Sequence, residues 1–297
     1  MGLRDRWVFH LMVEPSVPTD VPRESSRTIL FQFVVFPLGV VCIAVAIFFL
    51  FGKLASDEQS IPDYLNEIRS GSSHERWQAA YQLSKSIKRG EAKRYPNLEQ
   101  QVASLYTGSR NDDPRIRRYL SMVLGTLGDA RATPVLLGGL KDADVENRLY
   151  ALMALGQLHD PVSLPGLIAA AQDEEKDVRK AALFALGELG DRRAVPALVH
   201  ALEDPVTDVR WNAGIALARL GDPHALGPLR EMLDRGRLNS IAGMREDQKE
   251  DTMVVAMTEY LKLAPADALP QLQRIATSDP SLRVRSVARQ AIEQIRK

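Results

Sequence analysis

Apolar and polar positions follow two different plans along this chain. No charged residue occurs between Arg27 and Lys53, and the intervening TILFQFVVFPLGVVCIAVAIFFLFG is almost wholly apolar. Those 52 − 27 = 25 residues would form a helix about 37 Å long, against a bilayer hydrocarbon core of roughly 30 Å. The pattern predicts one membrane-crossing helix over 29–52, preceded by a largely disordered tail (1–28) and followed by a short linker (53–60). From residue 61 onward the plan changes. Apolar residues recur at helical spacing, and the whole pattern repeats every 31 residues: Asp129, Asp160, Asp191 and Asp222 keep that step. So do Leu124, Leu155, Leu186 and Leu217; Leu127, Leu158, Leu189 and Leu220; Leu136, Leu167, Leu198 and Leu229; and Arg117, Arg148, Arg179 and Arg210.

The unit beginning at Asp177 shows what each column is for. Val178, Ala181, Ala182, Ala185, Leu186 and Leu189 fall on one helical face, and Gly190 supplies the left-handed residue that ends the helix. Asp191 opens the turn into a second helix, in which Val195, Leu198 and Leu202 point inward and Pro196 stands early enough to be tolerated. The Gly125, Gly156, Gly187 column continues as Ala218, so it calls for small size at a close helix contact rather than for positive φ. Residues 61–70 read as a lone second helix, 74–106 as a repeat with an insertion near 86–97, and 234–250 as the site of a further 12-residue insertion. The segment SLRVRSVARQAIEQIRK reads as the closing helix.

The pattern V-R-x-x-A-x-x-A-L-G-x-L-G-D, clearest from Val178 to Asp191, resembles the HEAT-like repeats of phycobilisome lyase subunits and of bacterial scaffold proteins. The resemblance covers about residues 61–297 and implies an all-α solenoid of helix pairs; with the apolar segment, it implies a membrane-anchored member of that group. It implies no particular activity. One enzyme of the group, deoxyhypusine hydroxylase, holds two irons through repeated His-Glu pairs. Here only His74-Glu75 has that form; the matching positions hold Asn147-Arg148, Val178-Arg179 and Val209-Arg210.

Composition narrows the function further. Lys plus Arg and Asp plus Glu are both 38, so no net field draws nucleic acid to the chain. Cys42 is the only cysteine, and it lies inside the apolar run. His10, His159, His200 and His224 are scattered, and no metal-ligand, nucleophile-elbow or phosphate-loop motif occurs. The Asp and Arg columns recur in every unit, which marks them as contacts that maintain the fold. The tail arginines Arg4, Arg6, Arg23 and Arg27 and the acids after the span favour a single-pass inner-membrane protein, with its N-terminus in the cytoplasm and its solenoid in the periplasm. A cytoplasmic solenoid is the alternative.

These features predict a non-catalytic scaffold that docks a membrane or periplasmic protein, is held by the lipid bilayer through residues 29–52, and uses no cofactor. An enzyme or cofactor-handling protein of lyase-like or metal-dependent type is the other class left open. The predicted docking site is a trough of small residues on the second helices: Val135, Gly138 and Gly139; Gly166, Ala169 and Ala170; Ala197, His200 and Ala201; then Pro228, Glu231 and Met232. The competing reading is that these small residues only let neighbouring second helices pack tightly.

Overall fold

The structure, a computed structural model, describes residues 36–55, 60–88, 94–263 and 265–296. The expectations for the tail (1–28), for residues 29–35 and for most of the linker lie outside the described residues. The chain divides into two compact units, residues 1–58 and 59–297.

In the first unit, helix α1 spans Phe36–Ala55. Its apolar part ends before Lys53, so it contributes 52 − 35 = 17 apolar-run residues, about 25 Å of helix against the roughly 30 Å of a bilayer core. Among the described residues no helix is long and apolar enough to cross a membrane. The expected span over 29–52 is corrected accordingly. With it go the bilayer as a partner and the single-pass inner-membrane placement, whether the solenoid is set in the periplasm or the cytoplasm.

The second unit is the helical repeat. Its first helices are α3 (Ser73–Ser86), α5 (Pro114–Leu127), α7 (Val145–Leu158), α9 (Lys176–Leu189), α11 (Thr207–Arg219), α14 (Glu246–Leu263) and α16 (Leu282–Arg296), and each packs on the next. The second helices are α2 (Ile61–Ser70), α4 (Leu98–Gly108), α6 (Thr133–Gly139), α8 (Leu164–Ala170), α10 (Val195–Ala201), α12 (Leu226–Met232) and α15 (Pro265–Ser278). A short inserted helix, α13 (Arg235–Ser240), lies between α12 and α14, inside the segment where an insertion was expected.

Helices α6, α8, α10 and α12 have only seven residues, because a three-residue 3₁₀ turn takes the place of their first turn. The Asp column builds that turn. The carboxylates of Asp129, Asp160, Asp191 and Asp222 accept the N–H two residues on, at 3.0, 3.1, 2.9 and 3.0 Å. The residue closing each preceding first helix is left-handed: Gly128, His159, Gly190 and Gly221 have φ of 70°, 49°, 72° and 68°. The core comprises the leucine columns, with Leu124, Leu155, Leu186, Leu217, Leu136, Leu167, Leu198 and Leu229 all fully buried. Val195 and Leu202 are half-buried and pack against this core.

The glycine column works as its size suggested. A Cβ on Gly125 would lie 2.9 Å from Ala154 Cα, and one on Gly187 would lie 3.1 Å from Ala216 Cα, each on the next first helix. The arginine column joins repeats. Arg148 and Arg179 donate to the carbonyls of Asp142 and Asp173 in the turn before their helix, both at 2.9 Å. Each also reaches a carboxylate 25 residues on: Arg117 to Asp142 at 2.7 Å, Arg148 to Asp173 at 3.1 Å and Arg179 to Asp204 at 2.8 Å. One guanidinium thus ties a turn, its helix and the following turn together.

Candidate protein-docking surface

Two faces of the repeat present side chains outward, and they differ. On the second helices the predicted trough is uneven. The third member of each triplet (Gly139, Ala170, Ala201, Met232) is buried, and the first (Val135, Gly166, Ala197, Pro228) is half-buried. Only Gly138, Ala169 and His200 are exposed, with Glu231 half-buried beside them. A Cβ at Gly139 would fall 2.2 Å from the Tyr106 hydroxyl and one at Gly166 would fall 2.4 Å from Leu137 Cδ2, whereas Gly138 faces open space. The trough is therefore corrected to its middle column. The residues flanking that column let the second helices seat closely.

Two shallow depressions remain on this side. Val135, Gly138 and Gly139 line one of about 280 Å³, which the Arg117–Asp142 pair borders. Ala197, His200 and Ala201 line another of about 420 Å³, which the Arg179–Asp204 pair borders. Burial alone would raise the Asp142 and Asp204 carboxyls. Hydrogen bonds from Arg117 and Arg179, and from the N–H of Asp144 and Val206, outweigh it and hold both below the usual carboxylate range. These groups stay charged and paired with each other.

The first helices carry a column absent from the expectation. Met122, Met153 and Phe184 stand 31 residues apart and are 39, 52 and 45 % exposed. Ile215 continues the column half-buried, and Tyr81 holds the matching position on α3. Large apolar groups at a solvent-facing position of successive helices form a stripe, which isolated surface apolar residues do not. The spacing of 31 was visible in the sequence. Met, Met, Phe and Ile share no single residue type, so the column does not stand out as a repeated residue.

The glycine column deepens this face. Gly125 and Gly156 floor a depression of about 470 Å³ with Met153 and Phe184 among its walls. Farther along, the insertion builds a second one of about 510 Å³ between α11 and α14. Ile215, Trp211 and Val255 line it from those helices, and Ile241 and Met244 from the loop that follows α13. That loop turns at Gly243, whose φ of 77° a side chain would strain. Trp211 is 5 % exposed, and its indole N–H has no hydrogen-bond partner.

Acids border the same face. Glu146, Asp177, Asp208 and Asp251 are exposed and stand at the second or sixth position of α7, α9, α11 and α14. Glu146, Asp177 and Asp208 keep the step of 31, and each lies seven residues before the apolar column, two helical turns away on one side of the helix. Lys180 serves both Asp177, at 3.1 Å, and Asp208, at 4.0 Å, and Arg283 meets Asp251 at 2.7 Å. No group of three or more His, Cys, Asp or Glu side chains is placed to hold a metal ion among the described residues. His74, the one residue with an iron-site pattern, packs edge-on against Trp77.

Comparison with known proteins agrees with this architecture. Residues 102–175 and 164–242 match the family model for HEAT repeats. No curated protein matches the sequence. Among solved structures, the complex of CpcE and CpcF of phycocyanin lyase from Nostoc is 20% identical, with 81% of this chain and 96% of that chain covered and a TM-score of 0.50. The E. coli protein YibA is 17% identical over 82% of this chain and 90% of its own, also at 0.50. Human deoxyhypusine hydroxylase is 18% identical over 78% and 94%, at 0.32. For the phycocyanin lyase complex and YibA, at such identities, the likeness is one of fold. The chain is an all-α, HEAT-like repeat protein, with HEAT repeats matched across residues 102–242.

Proposed function

We propose that this protein is a non-catalytic scaffold that docks a protein partner along the outer face of its first helices. The observation carrying this reading is the exposed column Met122, Met153 and Phe184, of which Met153 and Phe184 line the depression with Gly125 and Gly156, and which Ile215 continues into the second depression. Methionine and phenylalanine supply adaptable apolar area, and stacked repeats extend it over a length that one helix cannot offer. Met153→Glu with Phe184→Glu tests the reading. Both side chains are about half exposed, so thermal unfolding should shift little while retrieval of partners by the full-length chain is lost. Retention of the same partners by that variant would remove the reading.

The fold shared with a phycocyanin lyase complex supports a second reading, a lyase-type or cofactor-handling role. An absorption spectrum and a metal analysis of the purified chain separate the two. A bound chromophore or stoichiometric metal would favour the second.

A further inference from the structure

We infer that the depression built by the insertion takes an apolar side chain of a basic, amphipathic segment of the protein partner. This rests on the first-helix face being the docking surface, and it names the chemistry of what docks there. The depression's apolar lining comes from Trp211, Ile215, Val255, Ile241 and Met244, which together suit an aliphatic or aromatic side chain. Its charged lining is Lys180, Asp208 and Asp251, one cation against two acids. Lys180 is already shared between Asp177 and Asp208, and its 4.0 Å separation from Asp208 leaves that carboxylate loosely held. Asp208, 62 % exposed, is open to a cation from outside, whereas Asp251, 63 % exposed, already meets Arg283 at 2.7 Å.

The acids extend the match beyond one pocket. Glu146, Asp177 and Asp208 flank the apolar stripe at a step of 31, so an amphipathic segment laid across successive repeats would meet apolar groups on one line and carboxylates beside it. A segment with Leu, Ile or Phe on one face and Lys or Arg along the border is complementary to that surface. An acidic segment would place like charges against Glu146 and Asp208, the two acids of the row that no close cation holds.

Two synthetic helical peptides test the inference on the full-length chain, one of Leu and Lys and one of Leu and Glu in the same helical pattern. Their affinities are read by fluorescence anisotropy of labelled peptide. The Leu–Lys peptide is expected to bind and the Leu–Glu peptide to fail. Asp208→Asn with Asp251→Asn should weaken the Leu–Lys peptide at least about fivefold. Removing the same charge at Glu174 and Glu203, exposed in turns away from the pocket, should leave it unchanged. No Leu–Lys binding, equal binding of both peptides, or equal loss in the two acid variants would overturn the inference. Charge-insensitive binding that Met153→Glu with Phe184→Glu abolishes would overturn the basic segment while sparing the docking face. Binding untouched both by that apolar pair and by Ile215→Glu, at the depression itself, would overturn both.

Discussion

Arg235 reaches Asp279, forty-four residues on, through Nη2 at 2.7 Å and Nε at 3.0 Å. In the regular repeats the guanidinium comes from a first helix and the carboxylate lies 25 residues later. Leu263 matches Leu189, and by the same offset Met253, fully buried, stands where α14 would carry its arginine. The inserted helix α13 supplies the missing cation. Asp279-Pro280 occupies the place that Asp204-Pro205 holds two repeats earlier. The insertion therefore both opens the depression and restores the contact that its presence interrupts.

Removing that contact should be costly. The Asp279 side chain is 2 % exposed and that of Arg235 is 14 % exposed. Arg235→Met leaves a buried carboxylate unpaired and is expected to destabilise by roughly 3–5 kcal/mol in urea unfolding. Arg193→Ala, at an Asp191 pair whose arginine is 69 % exposed, should barely move the midpoint. Equal losses would mean that α13 is an ornament on the stack and not part of it.

Acid should weaken the stack through the ladder carboxylates. Asp142 and Asp204 titrate below the ordinary aspartate value of about 3.9 in the folded chain. A depressed folded value means that their stabilisation is complete above the unfolded value and is lost as pH falls through the folded one. Stability measured by urea titration should hold from neutrality to about pH 5, then decline. Asp142→Asn with Asp204→Asn should lower stability at neutral pH and flatten that acid limb. An unchanged limb would show that other carboxylates set it.

Glycine substitutions should separate contact from freedom. Gly125→Ala drives a methyl to within 2.9 Å of Ala154 Cα and is expected to cost about 1–3 kcal/mol. Gly138→Ala meets open space inside α6 and should gain about 0.5–1 kcal/mol from helix propensity. Thermal melts of the two variants should move in opposite directions. Movement in the same direction would contradict the packing of the first helices.

His159 holds a left-handed position that its counterparts fill with glycine, and its ring nitrogen lies 2.9 Å from the Glu188 carbonyl oxygen. His159→Ala keeps the backbone strain and loses the contact, so it should destabilise by about 1 kcal/mol. His159→Gly relieves the strain while losing the same contact, and should stay near the parent. If alanine and glycine behave alike in a melt, the left-handed conformation carries no cost there.

The repeat was legible because its columns repeat residue types. Asp191, Gly187 and Leu186 each have counterparts of the same or nearly the same kind, and a shared contact with the next unit demands that likeness. Asp142, Asp173 and Asp204 keep the same step of 31, yet their role was missed, because their arginine partners lie a whole helix pair away in sequence. The trough is narrower than the sequence suggests because Gly139, Ala170, Ala201 and Met232 are buried, Gly139 against Tyr106 and Ala151, contacts that the spacing of small residues does not reveal. Arg235 was illegible for a plainer reason, since an insertion breaks register and its partner can be found only in space.

Site-specific photocrosslinking of the full-length chain in its native cells tests the docking face most directly. A photoreactive residue would replace Met153 or Phe184 on the first helices, or Gly138 or Ala169 on the second helices, all of them exposed positions. A discrete adduct with one protein from positions 153 and 184, and none from 138 and 169, is the expected result. Adducts confined to 138 and 169, or an even yield at all four, would contradict docking along the first helices.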